Sequence, residues 1–223
     1  MSFYWLFLLC PFCYLIGSVS FSIIISKFGL KTDVRKSGSG NAGATNMLRK
    51  FGFKVALATM VLDMLKGLLP ALAGRLLYGF NSELGLVGAL AMGIAAVLGH
   101  CFPIYYKFRG GKGVATTLGV LVVFNPVLGI SVTLIGLAFG ELVNYASIAS
   151  FLMMTILIVW EVLTQSHCAA VNALLLGFYL FVVFTHRSNI LRLVKGEEKR
   201  ASMFAKRKEK KQKEKQKQWL KEL

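Results

Sequence analysis

The sequence predicts an all-α polytopic membrane protein with seven transmembrane helices, some of them short. Of its 223 residues, 56% are hydrophobic and the mean hydropathy is +0.63, which is more apolar than a soluble domain of this length requires. Only 16% of the residues are charged, and they cluster between apolar runs long enough to span a bilayer. The formal net charge of +16 is typical of basic residues gathered on the cytoplasmic side against anionic lipid, so nucleic acid is not an expected partner.

Apolar runs in the first half of the chain predict the first three spans, at residues 3–26, about 55–77 and about 84–106. Basic residues crowd both sides of the connection between the first two runs. This connection should therefore lie in the cytoplasm, which places the N-terminus outside. Within the second span, Asp63 and Lys66 share one helical face, and their spacing is compatible both with a self-neutralising ion pair and with a catalytic role.

The region from 114 to 186 offers three further apolar runs, at about 114–139, 145–163 and 168–185. Six spans in total would leave the strongly basic C-terminus outside, against the usual charge asymmetry. An odd number removes the conflict, because Asn125-Pro126 can break the first of these runs. Four short helices of about 17 residues fit the region, at the low end of spanning length. We therefore predict seven spans, with the polar loops and the C-terminus in the cytoplasm.

The first polar stretch runs from Ser37 to Arg49 and differs in composition from everything around it. Glycine permits positive φ and close backbone approach to a ligand, while hydroxyl and amide groups supply neutral hydrogen bonds. The guanidinium of Arg49 suits a phosphate. A simple turn needs fewer glycines, so the composition favours a binding loop. The candidate residues are Gly38, Ser39, Gly40, Asn41, Gly43, Thr45, Asn46 and Arg49.

The second polar stretch follows the third span and opens the next helix. Its candidate residues are Gly110, Gly111, Lys112, Gly113 and Thr116. The N–H groups of a glycine turn at a helix N-terminus bind anions, and Lys112 adds a positive charge. It is not an ATP-binding P-loop, because Gly113 stands where that motif needs Ser or Thr and the setting is helical. His100, near the end of the third span, is a secondary candidate because a lone His there is more often a packing residue.

The third polar stretch begins at His186, where the last span should meet the cytoplasm. His186 and Asn189 share a helical face, and Arg192 follows three residues later. His186 could accept a proton near neutral pH or donate to an oxyanion, although a histidine at this position can also be a plain interface residue. Gly196 and Glu198 complete the stretch, and we expect structural roles for them.

The chain divides into a membrane-embedded domain, residues 1–198, and a basic Lys/Glu/Gln-rich cytoplasmic tail, residues 199–223. The composition of the tail predicts a solvated segment that is attracted to anionic lipid and that has no catalytic role. Within the 145–163 run, Ser147 and Ser150 lie three residues apart; one hydroxyl could enter the same polar cavity as the loops, and Ser150 is the candidate, or both could only pack helices together. The cysteine and histidine spacings complete no metal site.

Together the three stretches resemble the motifs of the bacterial acyl-phosphate:glycerol-3-phosphate acyltransferases, the PlsY family. The first matches G-S-G-N-x-G-A-T-N at Gly38–Asn46, and the second matches G-H-x-x-P and then F-x-G-G-K-G-V-A-T between Gly99 and Thr116. The third matches H-x-x-N-I-x-R-L-x-x-G-x-E at His186–Glu198. Each motif alone is weak, but the three in order are specific, and the resemblance covers about residues 3–198.

The resemblance implies seven membrane helices with the N-terminus outside, in a bacterial cell membrane. It also implies transfer of a fatty acyl group from acyl phosphate to the 1-hydroxyl of sn-glycerol 3-phosphate, giving lysophosphatidic acid and phosphate. Acyl phosphate is already activated, so neither a cofactor nor a metal is expected. Acyl phosphate and sn-glycerol 3-phosphate are the expected partners, together with the anionic membrane. The sequence leaves open whether the tail recruits the soluble enzyme that makes acyl phosphate.

The same resemblance suggests which residues bind the acceptor. On this hypothesis the glycine turn Gly110–Gly113, with Lys112 and Arg49, holds the phosphate of glycerol 3-phosphate, because an anion needs N–H donors and fixed cations. Ser150 and Asn189 orient the same substrate. Arg192 adds a further cation to the site.

The remaining roles concern the donor and the proton. Ser39, Asn41 and Thr45 would hold the acyl-phosphate end and stabilise a carbonyl oxyanion. His186 would orient or deprotonate the attacking hydroxyl, unless a phosphate oxygen of the substrate serves as the base. We therefore expect His186, Asn189, Ser39 and Asn41 to be the catalytic residues.

Two other function classes fit the sequence less well than an enzyme does. A secondary transporter or channel for an anionic solute would place its binding site near the bilayer midplane, within interrupted helices. Here the polar clusters all fall at the expected cytoplasmic ends of spans, and no inverted repeat is visible. A non-catalytic membrane scaffold would have no use for three loops suited to phosphate.

Overall fold

A computed structural model describes residues 4–164, 167–198, 200 and 216, so the predicted tail at 199–223 lies almost wholly outside the described residues. The described part is helical throughout its regular structure. Its α-helices are α1 Tyr4–Ser18, α2 Phe21–Ile24, α3 Ala44–Phe51, α4 Phe53–Tyr78, α5 Glu83–Cys101, α6 Val114–Val122, α7 Pro126–Val143, α8 Ala146–Thr164, α9 Ala169–Thr185 and α10 Arg187–Val194.

Several helical segments are long and apolar enough to cross a membrane. Within the described residues there are five, namely Tyr4–Gly29, Phe53–Tyr78, Glu83–Tyr106, Pro126–Val143 and Ala146–Thr164. A sixth is added if α9 and α10, which are bent by 55° relative to each other, are counted as one span. The all-helical multi-span architecture is therefore confirmed, and the count of seven stays a prediction.

The first span is interrupted, although its sequence predicts one continuous apolar run. α1 ends at Ser18, α2 begins at Phe21, and a π-helical turn completes the segment at Ile25–Gly29. At the interruption, the carbonyl of Val19 accepts a hydrogen bond of 2.8 Å from Nζ of Lys66. A side-chain donor from α4 thus replaces a helical N–H, which is a recognised cause of a break in a helix.

Four helices, α6 to α9, occupy the region from 114 to 185, as the sequence predicts. Asn125 caps α7 by accepting from the backbone N–H of Leu128 at 3.0 Å, and Pro126 stands in the first turn where its missing donor is not needed. The expected length of about 17 residues is wrong for α6, which has nine residues. A helix of nine residues is only about 14 Å long, so α6 alone cannot cross a bilayer.

Small residues allow two helix pairs to approach closely. Between α1 and α5, a Cβ at Gly17 would overlap the Ala96 backbone, and one at Gly99 would overlap the Tyr14 carbonyl. Between α4 and α6, Gly67 packs in the same way on the Thr116 carbonyl. Close backbone approach of this kind is the usual packing device of membrane helices.

The connections α4–α5, α6–α7 and α8–α9 meet at the end of the bundle opposite the polar loops. The backbone N–H of Cys168 donates to Oε2 of Glu83 at 3.2 Å, and Nε2 of His167 lies 3.1 Å from Oε2 of Glu161. The ring of Phe124, just after α6, packs edge-on against His167 at 6.4 Å between centroids. The C-terminal end of the short helix α6 therefore reaches this opposite end.

Candidate active site

The first polar loop is organised around the buried side chain of Asn46. Its Nδ2 lies 3.0 Å from three backbone carbonyl oxygens of the loop, and its Oδ1 accepts from the backbone N–H of Ser39 at 3.1 Å. Gly38 has φ of +63°, and a Cβ there would overlap Oδ1 of Asn46, so this position requires glycine. The polar atoms of Asn46 are thus engaged in shaping the loop, and its direct contact with a substrate stays a prediction.

The second polar loop packs tightly against His100. The backbone N–H of Gly111 donates to the His100 carbonyl at 3.1 Å. A Cβ at Gly110 would overlap that carbonyl, and a Cβ at Gly111 would overlap the imidazole ring. Gly113 begins α6 with φ of +83°, a conformation that favours glycine. The glycines therefore let the turn lie directly on His100, and Lys112 projects from it into a cavity.

The third polar stretch turns at His186, which lies in the bend between α9 and α10. Its Nδ1 is 2.9 Å from the carbonyl oxygen of Val182. Because a carbonyl can only accept, Nδ1 carries the hydrogen, and in a neutral ring Nε2 keeps the lone pair. The Phe151 ring packs on the imidazole at 4.9 Å. The hydroxyl of Thr185 donates to the Lys112 carbonyl at 3.0 Å, which ties the second stretch to the third.

Glu198 links the third stretch to α8. Its Oε2 accepts from Nε of Arg192 at 2.8 Å, and its Oε1 accepts from Nδ2 of Asn189 at 2.8 Å and from the hydroxyl of Ser147 at 3.3 Å. Burial acts to raise the pKa of the Glu198 carboxyl, but the hydrogen bonds from Arg192 and Asn189 outweigh it, and the pKa lies below its ordinary value. These contacts hold Arg192 and Asn189 in place, and the structural role of Glu198 stays a prediction.

Lys112 is a half-buried cation that lines the site. Its ammonium group donates to Oδ1 of Asn189, a neutral amide. Burial is the main cause that lowers the pKa of Lys112; Glu198 acts against it, Arg192 and Arg49 add to it, and the pKa that results is about 8. Three cations from three separate stretches therefore lie close enough to influence one another. Such a cluster is stabilised by an anionic ligand.

These stretches surround one cavity of about 510 Å³. The predicted site residues that line it are Ser39, Asn41, Gly43, Thr45, Asn46, Arg49, Lys112, Gly113, Ser150, His186, Asn189, Arg192 and Glu198. The predicted residues that do not line it are Gly38, Gly40, Gly110, Gly111, Thr116 and Gly196. Most of the second group are glycines, which shape the loops around the cavity.

The rest of the cavity is mainly apolar and lies among α4, α6, α7 and α8. Leu57 and Met60 line it from α4, Leu118 from α6, and Leu134 and Leu137 from α7. Leu134 is 62% exposed, so this half opens towards the outer surface of the bundle. The cavity therefore joins a cationic end to an apolar, open end, and it can hold a molecule that carries both a phosphate and a hydrocarbon chain.

Four polar residues that line the cavity were not among the predicted site residues, namely Asp63, His100, Glu141 and Ser147. The sequence offers Ser147 and Ser150 as two hydroxyls, one of which could enter the cavity, and favours Ser150; in the structure both line it. Asp63 and His100 also line the cavity. The predicted ion pair between Asp63 and Lys66 is present, with Nζ 2.7 Å from Oδ1. The spacing of the pair within α4 could not predict that Asp63 lines the cavity.

The fold and the cavity define a multi-span membrane protein with one amphipathic, phosphate-suited site. The family model for glycerol-3-phosphate acyltransferase matches residues 7–196. Similar curated proteins carry the same name: one from Thermoanaerobacter pseudethanolicus is 40% identical over 186 residues, covering 83% of this chain and 90% of the relative. Another, from Halalkalibacterium halodurans, is 42% identical over 192 residues, covering 83% and 90% respectively. The chain belongs to the glycerol-3-phosphate acyltransferase family and is an acyltransferase.

Two solved structures share the fold. They are crystal structures of PlsY, an integral membrane glycerol 3-phosphate acyltransferase, in a glycerol 3-phosphate form and a lysophosphatidic acid form. The first has a TM-score of 0.80 at 34% sequence identity, covering 90% of this chain and 97% of the other. The second has a TM-score of 0.77 at 34% identity, with coverage of 89% and 96%. Family membership decides for the enzyme against the transporter and the scaffold.

Proposed function

We propose that this protein transfers a fatty acyl group from acyl phosphate to the 1-hydroxyl of sn-glycerol 3-phosphate, producing lysophosphatidic acid and inorganic phosphate. The observation that carries the proposal is the meeting of Arg49, Lys112 and Arg192 at the polar end of a cavity whose other end is apolar and open. Acceptor, donor and product each carry a phosphate, and the donor and product add a hydrocarbon chain. One amphipathic cavity suits all three.

The acceptor phosphate would bind among the cations. Lys112 and Arg49 can supply charge-assisted hydrogen bonds, and the N-terminal end of α6 adds backbone N–H groups. Asn189 lies between Lys112 and Glu198 and can orient the glycerol hydroxyls. The solved relative in its glycerol 3-phosphate form supports this choice of acceptor.

The reaction needs one bond formed and one broken. The 1-hydroxyl oxygen attacks the acyl carbonyl carbon, the bond from that carbon to the phosphate oxygen breaks, and phosphate leaves with the electron pair. Ser39, Asn41 and Thr45 line the cavity and can donate to the oxygen that becomes negative in the transition state. The hydroxyl proton passes either to Nε2 of His186 or to a phosphate oxygen. The hydrogen bond of Nδ1 to Val182 supports Nε2 as the acceptor.

We further propose seven crossings of a bacterial cell membrane, with the N-terminus outside. The nine residues of α6 can complete a crossing because the preceding glycine turn lies within the bundle on His100, while Phe124 reaches His167 at the far end. Basic residues around the first and third polar stretches favour the cytoplasm for that end. Attraction of the basic tail to anionic lipid, and recruitment of a soluble enzyme by it, stay predictions.

Acyl transfer by the purified protein tests the proposal directly. Palmitoyl phosphate and radiolabelled glycerol 3-phosphate are supplied in detergent or lipid, with palmitoyl-CoA and acyl carrier protein donors in parallel. We expect lysophosphatidic acid from acyl phosphate alone. Product from the CoA thioester alone would keep the acceptor site and overturn the donor. No product from any donor, in a folded preparation, would refute the proposed reaction.

The role of His186 has its own test. Replacing it in His186→Ala removes the Nε2 lone pair, and general-base catalysis typically contributes at least about 100-fold in rate. We expect a loss of kcat of that order at saturating substrate. Near-normal turnover by this variant would exclude proton transfer through His186 and leave a substrate phosphate oxygen as the base.

A further inference from the structure

A buried polar network crosses the bundle beside the site. Lys66 and Asp63 on α4 are 3% and 2% exposed and form an ion pair of 2.7 Å. Nζ of Lys66 also donates to the carbonyl of Val19, at the break between α1 and α2, at 2.8 Å. The ion pair therefore joins α4 to the first span at membrane depth.

The network continues from Asp63 to the second polar loop. Nδ1 of His100, which is 5% exposed, lies 3.6 Å from Oδ1 of Asp63, which is an electrostatic contact longer than a hydrogen bond. The other side of the His100 ring packs on Gly111, and the His100 carbonyl accepts the Gly111 N–H. Asp63 and His100 both line the cavity that Lys112 enters. A continuous path thus leads from the break in the first span to the turn that carries Lys112.

Stability alone does not account for this network. A buried ion pair replaced by well-packed apolar residues is often neutral or more stable, because desolvation offsets the attraction between the charges. Ionisable groups inside a membrane bundle are rare and usually mark a functional site. Here the network ends on a backbone turn from which Lys112 enters the ligand cavity and after which α6 begins, so precise placement of that turn is the property it can supply.

We propose that Asp63 and His100 are positioning residues for the glycerol 3-phosphate site. Asp63, fixed by Lys66, orients the His100 ring, and His100 holds the Gly110–Gly113 turn so that Lys112 and the N-terminal end of α6 meet the phosphate. Neither residue touches the reacting atoms. The inference rests on the proposed binding of glycerol 3-phosphate at this turn.

Steady-state kinetics with both substrates test the inference. The decisive variant is Asp63→Leu/Lys66→Met, which removes both charges together and leaves none unpaired. We expect near wild-type thermal stability, a KM for glycerol 3-phosphate raised about tenfold because a contact between the turn and the phosphate is weakened, and a KM for acyl phosphate within about twofold of wild type. A wild-type KM for glycerol 3-phosphate in this variant would make the pair purely structural and overturn the inference.

Two further variants guard the result. His100→Asn keeps a polar amide near the position of Nδ1. Its KM for glycerol 3-phosphate should therefore be lower than that of His100→Ala, but only while Asp63 is present. Equal KM values for the two would contradict orientation by Asp63. The matched control is Glu161→Leu, which removes a buried carboxylate beside His167 at the far end of the bundle and should leave both KM values unchanged.

The KM for glycerol 3-phosphate can be measured even when a variant folds poorly. It also distinguishes a failure of the positioning role from a failure of the proposed function. KM does not depend on the amount of active enzyme, so it can be measured in native membranes when a variant purifies badly. Absence of product from the wild-type protein would refute the proposed function itself. Wild-type activity with an unaltered KM for glycerol 3-phosphate in the double variant would refute the positioning role alone.

Discussion

The charge on Lys112 should make acceptor binding sensitive to pH. Burial, with the neighbouring charges of Arg192 and Arg49, lowers the pKa of its ammonium to about 8. The lysine is therefore charged below pH 8 in the free enzyme and loses its charge above it. Since kcat/KM reports the free enzyme, kcat/KM for glycerol 3-phosphate should fall by up to about tenfold per pH unit above 8. A profile from pH 7 to 9.5 measures this.

The variant Lys112→Arg is the matched control, because a guanidinium stays charged throughout this range. Its kcat/KM should be lower than that of wild type but flat with pH. In the wild-type protein a bound phosphate favours the charged lysine, so kcat should decline at a higher pH than kcat/KM. The same alkaline decline in the arginine variant would assign the ionisation to another group.

A second prediction at the residue scale concerns Glu198. The change Glu198→Gln keeps an oxygen that can accept from Asn189 and Ser147 but removes the charge that pairs with Arg192. Glu198→Ala removes both functions. We expect kcat/KM to fall about tenfold in the glutamine variant and about 100-fold in the alanine variant, in keeping with one lost charged contact and then a lost network. Equal losses would show that only the charge matters.

Single residues also show how far sequence reasoning reached. The three polar stretches were recognisable by their composition, and most of their candidates do line the cavity. Asn46 was predicted as a ligand, yet its polar atoms hold backbone groups of its own loop. The sequence makes His100 only a secondary candidate and favours Ser150 over Ser147, because the partners of His100 and Ser147 are distant in sequence: Ser147 contacts Glu198, and His100 contacts Asp63. Residue type indicates chemistry, but long-range packing decides which groups converge.

At the scale of helices, the contact between α4 and α6 should tolerate no added methyl group. A Cβ at Gly67 would overlap the carbonyl of Thr116, and a Cβ at Gly119 would overlap that of Met64. Backbone atoms cannot move aside as a flexible side chain can, so Gly67→Ala or Gly119→Ala should destabilise the fold by about 1–3 kcal/mol. The measurement is the Tm in detergent, monitored by fluorescence-detected gel filtration, and we expect it to be lower in both variants.

The control for these variants is Gly177→Ala in α9. A Cβ at Gly177 meets nothing within 4 Å, and alanine favours a helix over glycine by up to about 1 kcal/mol in water. We expect its Tm to equal or exceed that of wild type. If Gly67→Ala proved as stable as Gly177→Ala, close packing of α4 on α6 would not hold.

Helix boundaries follow from local chemistry only in part. The break before α7 was predictable, because Asn125 and Pro126 carry their own capping and helix-starting properties. The break in the first span was not predictable, because the Val19 carbonyl at the break accepts a hydrogen bond from Lys66, which is 47 residues away. The short length of α6 was missed for a similar reason. Hydropathy cannot reveal that the turn before α6 lies inside the bundle, against His100.

At the scale of the whole molecule, the orientation in the membrane can be tested with a native cysteine. Cys168 is exposed at the end of the bundle opposite the polar loops, whereas Cys13 and Cys101 are buried. With the loops in the cytoplasm, Cys168 faces outside, and a membrane-impermeant maleimide should label it in intact spheroplasts. The change Cys168→Ser should abolish that labelling, which identifies the reactive thiol.

The complementary variant is Lys36→Cys made in the Cys168→Ser background. Lys36 is exposed in the first polar loop, so its replacement should react only after the membrane is permeabilised. The reverse pattern, with Cys168 protected and the cysteine at position 36 labelled from outside, would invert the orientation. It would also show that the excess of basic residues in the polar loops does not predict the orientation of this fold in the membrane. The expected pattern instead places the cationic end of the cavity on the cytoplasmic side, where a charged acceptor that cannot cross the bilayer unaided can reach it.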